Sequence, residues 1–263
     1  MPRIPLCLVC SVYNASETVS LFLASILNQS YTYWVLYLVD DCSSDETLSI
    51  INAFPDNRIK LICNPSNLGL TRSLIRAIEY LPTDAFILRL DVDELHCSDY
   101  LFNIASLFSR GHDLILVTPK SYVVHISRIL HKTSPRLLVL FLSLWGNCYS
   151  HGSSSYISSL YHSAHGYNKI FYLSQDFDLW MRLLPKASNP YFTASDKYIS
   201  SQISRSTPSL SSSKPSFQFF FSLMALHNIF KRPDRLSFTR KVFFFAFFFP
   251  IALSIRLVRS VFF

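Results

Sequence analysis

Two carboxylates one residue apart, Asp91 and Asp93, directly follow the apolar run at residues 86–90. Such a run predicts a buried strand, and two nearby side chains can turn toward one ligand once the chain leaves the sheet. Carboxylate oxygens are favoured ligands of Mg²⁺ and Mn²⁺, and phosphate oxygens of a substrate commonly complete the coordination. Because D-x-D patterns are common in loops, the position at a strand end is what makes this pair a candidate cation site.

A second acidic pair, Asp40 and Asp41, follows the apolar run at residues 36–39. Adjacent carboxylates repel each other unless a ligand or a hydrogen-bond donor compensates their charge. One of them could accept a hydrogen bond from a nucleotide base or from a ribose hydroxyl. The alternative is an acidic first turn of a helix, where a carboxylate contributes about 1 kcal/mol or less.

The elements that must position these residues alternate along the chain. Short apolar runs typical of strands lie at residues 6–12, 34–39, 59–63, 85–90 and 114–118, with helical periodicity between them. Asn14 with Glu17, and Ser43 with Glu46, form patterns typical of helix caps. This order predicts an α/β fold with a doubly wound, mostly parallel sheet flanked by helices, which binds ligands at the carboxyl ends of its strands.

The composition excludes several classes of protein. Half of the 263 residues are hydrophobic and 16% are charged, a balance that disordered chains lack. The five glycines form no dinucleotide-binding fingerprint, no phosphate-binding P-loop and no nucleophile elbow. The one close cysteine pair, Cys7 and Cys10, lies inside an apolar run, which favours buried reduced thiols in the cytoplasm over a metal or redox site.

The positive charge is concentrated at the end of the chain. Residues 227–263 contain seven of the Lys and Arg residues and one Asp, and 14 of the 23 phenylalanines lie at or beyond Phe217. We expect residues 1–208 to form one domain, and residues 209–263 to form a linker and a basic, Phe-rich helical tail on a membrane surface; a helix packed on the core is the alternative. The apolar stretch at 242–255 is shorter than the roughly 20 residues that a spanning helix needs. Blocks of phenylalanine suit lipid better than stacked bases, so nucleic acid is not an expected partner.

Five stretches, taken together and in order, resemble the family 2 glycosyltransferases of GT-A fold. They are the opening strand and turn at residues 8–15, V-D-D-C-S-S-D-E-T at 39–47, N-L-G at 67–69, R-L-D-V-D-E at 89–94, and Q-D-F-D-L-W-M-R-L at 175–183. The last stretch is similar to a signature of the bacterial polysaccharide branch of the family. The resemblance covers about residues 4–205 and implies that residues 1–208 are the catalytic domain.

The resemblance implies an inverting transfer of a sugar from a nucleotide-diphospho-sugar to a hydroxyl of a glycan or lipid-linked acceptor, in cell-surface polysaccharide biosynthesis. Asp93, together with Asp91, would bind Mg²⁺ or Mn²⁺; alternatively Asp91 contacts the ribose. Asp176 corresponds to the general base that takes the proton of the acceptor hydroxyl, with Asp178 as the alternative base. The implied location is cytoplasmic, peripheral on the inner face of the cell membrane.

The other implied contacts lie on two sides of the site. The nucleotide-sugar side comprises Tyr13, Asn14, Asp40, Asp41, Arg72, Arg89 and Asp91, where Asp40 or Asp41 reads the base and ribose. The acceptor side comprises Asn147, His151, Trp180 and Arg182. Trp180 alternatively fills the core, Arg182 alternatively pairs with a carboxylate, and His151 contacts either the acceptor or the diphosphate.

Three positions depart from the family pattern, and one of them is His165-Gly166-Tyr167, which stands where the family often has Gly-Gly-Tyr. Cys42 stands where the family usually has a glycine, which adopts unusual turn conformations without a steric penalty. Glu94 replaces the final aspartate of the R-x-D-x-D-D motif. An alternative function is therefore a non-catalytic nucleotide-sugar-binding homologue or a membrane scaffold, which would bind the nucleotide without transferring a sugar.

Overall fold

A computed structural model describes residues 3–118, 121–133, 138, 139, 142, 149–195 and 199–202 of the chain. The strands in this part are β1 (Leu6–Val12), β2 (Trp34–Asp40), β3 (Ile59–Cys63), β4 (Phe86–Arg89), β5 (Glu94–His96), β6 (Leu114–Thr118), β7 (Ser155–Ile157), β8 (Pro190–Ala194) and β9 (Ile199–Gln202). The helices are α1 (Val19–Leu27), α2 (Thr47–Asn52), α3 (Leu70–Glu79), α4 (Tyr100–Ser109), α5 (Ser121–Thr133), α6 (Ser158–Ser163) and α7 (Gln175–Leu183).

Seven strands form one sheet in the order β3-β2-β1-β4-β7-β6-β8. β1 pairs in parallel with β2 and β4, β2 with β3, and β6 with β8, whereas β7 runs antiparallel to both of its neighbours. β5 and β9 form a separate antiparallel pair. The expected α/β fold with a mostly parallel sheet flanked by helices is confirmed; the reversed strand β7 was not expected.

Alternate residues of β1 face opposite sides of the sheet and supply two cores. Leu6, Leu8 and Cys10 pack with α1, α2 and α4, while Cys7 and Val9 pack with α3, α5, α6 and α7. This period of two is the geometry of an extended strand whose two faces are both covered. The sheet is therefore shielded on both faces, and its edge of strand ends is left for ligands.

The predicted strands agree with the observed ones to within one residue at each end, but both predicted helix caps are wrong. The residue before α1 is Thr18 and the residue before α2 is Glu46, and neither caps its helix through its side chain. Asn14 and Ser43 instead bond to each other's loops. Short polar side chains satisfy whichever backbone donor lies nearest, and here that donor belongs to the neighbouring loop.

Asn147 and the predicted tail at residues 209–263 lie outside the described residues. Within the residues that the structure describes, no helix combines the length and the apolar character needed to cross a bilayer.

Candidate active site

The site lies where several strands end at one edge of the sheet. β1, β2, β4 and β6 end at this edge, and β7 begins there because it runs in the opposite direction. The segment leading into β7 is bonded to its neighbours: the Ser150 N–H donates to the Val117 carbonyl at 2.7 Å, and the Ser153 N–H donates to the Arg89 carbonyl at 2.8 Å. Residues far apart in the chain are thereby brought together.

The loops after β1 and β2 are fastened to each other. The Asn14 N–H donates to Ser43 Oγ at 3.0 Å, and the Ser44 N–H donates to Asn14 Oδ1 at 2.9 Å. The Ala15 N–H donates to Thr47 Oγ1 at 2.7 Å. Asn14 therefore holds the two loops together, while Tyr13 leaves 47% of its surface exposed at the same edge.

Two residues of these loops adopt left-handed backbone conformations, Asn14 with φ 45° and Cys42 with φ 63°. Asparagine tolerates this region because its side chain can bond locally, whereas other non-glycine residues are strained there. Cys42, which stands where the family usually has a glycine, therefore does adopt a backbone conformation that favours glycine.

The two adjacent aspartates have different surroundings. Asp41 accepts three bonds at 2.7–2.8 Å, from the Asn64 side chain and from the N–H groups of Leu68 and Gly69. Among the residues that the structure describes, Asp40 accepts one bond, from the Ser43 N–H at 3.2 Å, and its other oxygen is buried without a partner. A buried carboxylate oxygen without a donor is costly, so Asp40 is the member of the pair suited to a ligand and Asp41 holds the turn before α3.

Arg89, at the end of β4, is buried and forms an ion pair with Asp91. Although burial alone would lower the pKa of Arg89, the Asp91 carboxylate raises it overall, so the guanidinium stays charged. Because the Arg89 side chain is only 2% exposed and that of Asp91 is 35% exposed, Arg89 lies behind Asp91 and orients it. This corrects the expectation that Arg89 itself contacts the nucleotide-sugar.

Glu94 lies behind the D-x-D pair. It is buried, and Ser153 Oγ donates to its Oε2 at 3.0 Å. Burial, reinforced by the Asp91 charge, raises the pKa of Glu94 to about 7. Burial also lowers the pKa of His96, whose ring stacks on Tyr100 and contacts Ser153 Oγ at 3.1 Å, to about 4.

Gly152 packs against both acids. A Cβ added there would lie 2.5 Å from Glu94 Oε2 and 2.7 Å from Asp91 Oδ2. The carboxylates of Asp91 and Glu94 therefore both occupy the space that a side chain at residue 152 would need.

The carboxylates at this edge are oxygen ligands suited to a hard divalent cation. Within the described residues, no group of three or more His, Cys, Asp or Glu residues could hold a metal by itself. Asp91 and Asp93 fit a cation whose coordination is completed by a substrate, and Mg²⁺ and Mn²⁺ are commonly bound in this way together with phosphates.

His151 lies half-buried among aromatic rings, with its Nε2 2.8 Å from the Tyr167 hydroxyl. Its ring meets those of Tyr167 and Trp180 edge-on, with centroids 5.7 and 6.3 Å apart. Burial and the Arg89 charge both lower the pKa of His151 well below its usual value, so the ring is neutral.

Helix α7 separates the two candidate bases. Asp176 is partly exposed in its first turn, with one oxygen accepting from the Phe177 N–H at 2.8 Å. Asp178 is buried and forms an ion pair with Arg182. Arg182 Nη1 also donates to the carbonyls of Ala164 and Gly166. Asp178 is therefore committed to a structural contact, and Asp176 is the candidate base.

Two of the residues expected on the acceptor side are structural. Trp180 is fully buried in the core, so its indole cannot stack on a sugar. Arg182 is buried and bonded to protein groups, so the carboxylate alternative is the observed one and the phosphate alternative is not. Arg72, expected on the nucleotide side, is exposed in the first turn of α3.

The sequence did not assign a role to Gly152, Ser153, Tyr156 or Tyr167. Gly152 carried a weak signal, since it is one of only five glycines in the chain. The roles of Ser153, Tyr156 and Tyr167 depend on contacts made across the fold.

Two solved structures share this fold. Staphylococcus aureus TarS 1–349 in complex with UDP-GlcNAc has a TM-score of 0.70 at 18% identity, covering 95% of this chain and 73% of that one. The mannosyltransferase PcManGT from Pyrobaculum calidifontis, in complex with GDP-Man and Mn²⁺, has a TM-score of 0.64 at 13% identity, covering 98% of this chain and 75% of that one. The fold is therefore that of the GT-A glycosyltransferases.

The sequence of this chain matches the Glycosyl transferase family 2 model over residues 7–173, and the chain belongs to this family. It is 30% identical over 193 residues to the putative glycosyltransferase EpsE of Bacillus subtilis (strain 168), covering 70% of this chain and 68% of that protein. Over 89 residues it is 37% identical to the UDP-Glc:alpha-D-GlcNAc-diphosphoundecaprenol beta-1,3-glucosyltransferase WfgD of Escherichia coli, covering 34% of this chain and 35% of that protein. The expected enzyme class, a glycosyltransferase, is confirmed.

Proposed function

We propose that this enzyme moves a sugar from a nucleotide-diphospho-sugar to a hydroxyl group of a glycan or lipid-linked acceptor, with inversion and with a divalent cation, in cell-surface polysaccharide biosynthesis. The observation that supports the proposal is the group of acidic residues at the end of the strands. There Asp40 has a buried oxygen to which no group in the described part of the chain donates, and Asp91 is oriented by a buried arginine beside Asp93. A nucleotide, a cation and a diphosphate together would satisfy these groups.

On the donor side, Asp40 accepts a hydrogen bond from the base or ribose, and the exposed Tyr13 covers the nucleotide. Asp91 and Asp93 would hold Mg²⁺ or Mn²⁺, which when bound offsets the charge that develops on the departing nucleotide. The ion pair with Arg89 orients Asp91, so the carboxylate is in position before substrate arrives. The Mn²⁺ complex of PcManGT is consistent with this role for a cation.

On the acceptor side, Asp176 takes the proton of the attacking hydroxyl. It is suited to this role because it is partly exposed at the start of α7, whereas Asp178 is neutralised by Arg182. Attack from the side opposite the leaving group inverts the anomeric carbon in one displacement and needs no covalent intermediate.

The acceptor and the location follow from the relatives and from the composition. The printed name of WfgD describes a glucosyltransferase acting on a diphosphoundecaprenol-linked sugar. A basic, Phe-rich segment such as residues 217–263 would hold this enzyme on the inner face of the cell membrane, close to an acceptor of that kind. Residues 1–208 would then be the catalytic domain.

The test is a panel of nucleotide sugars with Mn²⁺ and a lipid-linked sugar acceptor, with the released nucleotide as readout. We expect turnover of at least one donor, lost in Asp93→Ala and Asp176→Asn and kept in the control Asp84→Asn, an exposed aspartate before β4. Asp176→Asn should still bind the donor, because its role is in the transfer step. Donor binding without turnover in the unmodified enzyme would instead establish the non-catalytic alternative, and full activity of both variants would overturn the site assignment.

A further inference from the structure

Three buried or half-buried side chains form a chain of hydrogen bonds beside the site. The Tyr156 hydroxyl lies 3.3 Å from the Tyr167 hydroxyl, which lies 2.8 Å from Nε2 of His151. Tyr156 is fully buried, and Tyr167 is 5% exposed. Each hydroxyl has one proton to donate, so the direction of the bonds can be deduced by counting protons.

The count begins at Tyr156. Within the described part of the chain, the Tyr167 hydroxyl is the one hydrogen-bond partner of the Tyr156 hydroxyl. If Tyr156 accepted this bond, its own proton would be buried without an acceptor, which is costly. Tyr156 therefore donates to Tyr167.

The direction then continues to the histidine. Because Tyr167 accepts from Tyr156, the one proton of Tyr167 is free to go to His151, and Nε2 of His151 is the atom that accepts it. A neutral imidazole that accepts at Nε2 carries its proton on Nδ1. The neutral state agrees with the lowered pKa of this half-buried ring.

We propose that Tyr156 and Tyr167 fix His151 as the tautomer protonated on Nδ1, so that His151 serves the reaction as a neutral hydrogen-bond donor and not as a base. Tyr167 is then a positioning residue. The role of His151 in the reaction rests on the proposed function, whereas the assignment of its tautomer does not.

The group that accepts a hydrogen bond from Nδ1–H of His151 is inferred from what lies near the ring. His151 directly precedes Gly152, where an added Cβ would lie 2.7 Å from Asp91 Oδ2, so this segment lies beside the carboxylate proposed to hold the cation. The charges of Arg89 and Asp91 both influence the pKa of His151. A diphosphate bound there presents anionic oxygens, the acceptors with which an N–H forms its strongest hydrogen bonds. His151 therefore donates to the diphosphate of the sugar donor, and Asp176 is left as the base.

The first experiment reads the tautomer directly. Two-bond ¹H–¹⁵N correlation spectra of the full chain at neutral pH distinguish a protonated Nδ1 from a protonated Nε2, and His151→Asn identifies the signals of this ring by their disappearance. We expect the Nδ1-protonated pattern in the unmodified enzyme. Tyr167→Phe should shift it toward the other tautomer, and so should Tyr156→Phe combined with Tyr167→Phe, which removes both hydroxyls and leaves neither one unpaired.

The control is Tyr80→Phe, which removes a hydroxyl from a residue 57% exposed at the end of α3 and should leave the His151 signals unchanged. A ring protonated on Nε2 in the unmodified enzyme, or a double variant with an unchanged pattern, would overturn the proposal. This outcome does not depend on whether a substrate is turned over.

The second experiment compares two substitutions that mimic one nitrogen each. The amide of Asn can replace the Nδ1 donor, whereas the amide of Gln extends to the position of Nε2. We expect His151→Asn to keep donor KM within about threefold, and His151→Gln to weaken the donor about tenfold or more, as for loss of one bond to a charged group. Equal loss in both variants would overturn the donor role, and a change confined to the acceptor KM would place the Nδ1 proton on the acceptor instead.

Discussion

At the scale of single residues, the two adjacent aspartates of the site illustrate how identical side chains acquire different tasks. Asp41 is surrounded by three protein donors, whereas Asp40 keeps one buried oxygen for a ligand. Their adjacency in sequence could not separate them, because the donors to Asp41 come from residues 64–69, more than twenty positions along the chain. The difference arises from the turn before α3.

Substituting each aspartate by asparagine should therefore give opposite results. Asp41→Asn should lower the free energy of unfolding by about 2 kcal/mol, because hydrogen bonds to a charged group are lost. In addition, the NH₂ group of the new asparagine would point at the N–H donors that now bond to Asp41. Asp40→Asn should leave stability nearly unchanged and weaken nucleotide binding about tenfold or more. Urea unfolding and titration calorimetry with UDP and GDP measure the two effects, and the reverse pattern would exchange the two roles.

Cys42 combines a side chain with a backbone conformation that glycine adopts more readily, φ 63°. A non-glycine residue in this region costs about 1–2 kcal/mol, partly offset because glycine loses more backbone freedom on folding. Cys42→Gly should therefore keep or raise the free energy of unfolding, by up to about 1 kcal/mol. Cys63→Gly is the matched control: Cys63 is an exposed cysteine in β3, where the same change should lower stability by about 0.5–1 kcal/mol.

Gly152 should matter for the cation and not for the fold. A methyl group there would displace Asp91 and Glu94, whose carboxylates are the movable ends of side chains. Gly152→Ala should raise the Mn²⁺ concentration needed for half-maximal activity about tenfold, with a melting temperature within a few degrees of the unmodified enzyme.

The matched control for Gly152→Ala is Gly111→Ala. At Gly111 an added Cβ meets nothing within 4 Å, but φ is +82°. This variant should lose about 1 kcal/mol of stability and keep its Mn²⁺ requirement. If Gly152→Ala resembled Gly111→Ala in both measurements, the packing of Gly152 against the two acids would have no role in cation binding.

At the scale of elements, the paired loops after β1 and β2 form one unit. Besides the bonds of Asn14, the Asp45 carboxylate accepts from the Ser16 N–H at 3.1 Å, the Thr47 N–H at 3.0 Å and the Thr47 hydroxyl at 2.5 Å. Burial is the largest single influence and opposes ionisation, but the hydrogen bonds from Thr47 and Ser16 together outweigh it and lower the pKa of Asp45 from 3.8 to about 2.

This shift predicts an acid-dependent contribution to stability. Because the pKa of Asp45 is lower in the folded state, its ionised form stabilises the fold above about pH 4, and the contribution is lost as the pH falls through about 2. Compared with Asp45→Asn, the unmodified enzyme should be more stable at pH 5, and the difference should shrink toward pH 2. Urea midpoints between pH 2 and pH 5 measure it; a difference independent of pH would show that the charge of Asp45 is not involved.

The same scale shows which elements the sequence could predict. β1, β2 and β6 are apolar runs that are largely buried on both faces, so composition alone predicts them, and the apolar residues of the edge strand β3 are enough to predict it too. β7 pairs with two strands, β4 and β6. Its sequence, Ser155-Tyr156-Ile157, is too short and too polar to be predicted as a strand. The predicted helix caps were wrong because the partners of Asn14 and Ser43 lie in each other's loops. The orientation of the Arg182 side chain could not be predicted because it depends on the carbonyls of Ala164 and Gly166, just after α6.

At the scale of the whole molecule, the proposed site joins the loops after β1 and β2 to the end of β4 and the segment before β7. The two halves of the sheet, β3-β2-β1-β4 and β7-β6-β8, meet at the pairing of β4 with β7. A nucleotide-sugar bound with its cation would contact parts from both halves. Binding should consequently stabilise the fold as a whole.

This coupling predicts a metal-dependent thermal shift. At a concentration about 100 times its Kd, UDP with Mn²⁺ should add about 2.7 kcal/mol of stability. For a chain of this size that corresponds to a rise of about 5 °C or more in melting temperature. EDTA should abolish most of the shift, and Asp93→Ala should do the same. An equal shift with and without Mn²⁺ would argue against Asp91 and Asp93 as cation ligands.

The reversed direction of β7 has a consequence for how such enzymes can diversify. The connection from β6 to β7 leaves and re-enters the sheet at one and the same edge, the edge that carries the site. A change in the length of this connection therefore alters what surrounds the site without moving any strand from its register. We therefore expect that exchanging the part of this connection before residue 149 between relatives changes acceptor specificity, whereas exchanging His151, Gly152 and Ser153 as well would also change the donor side.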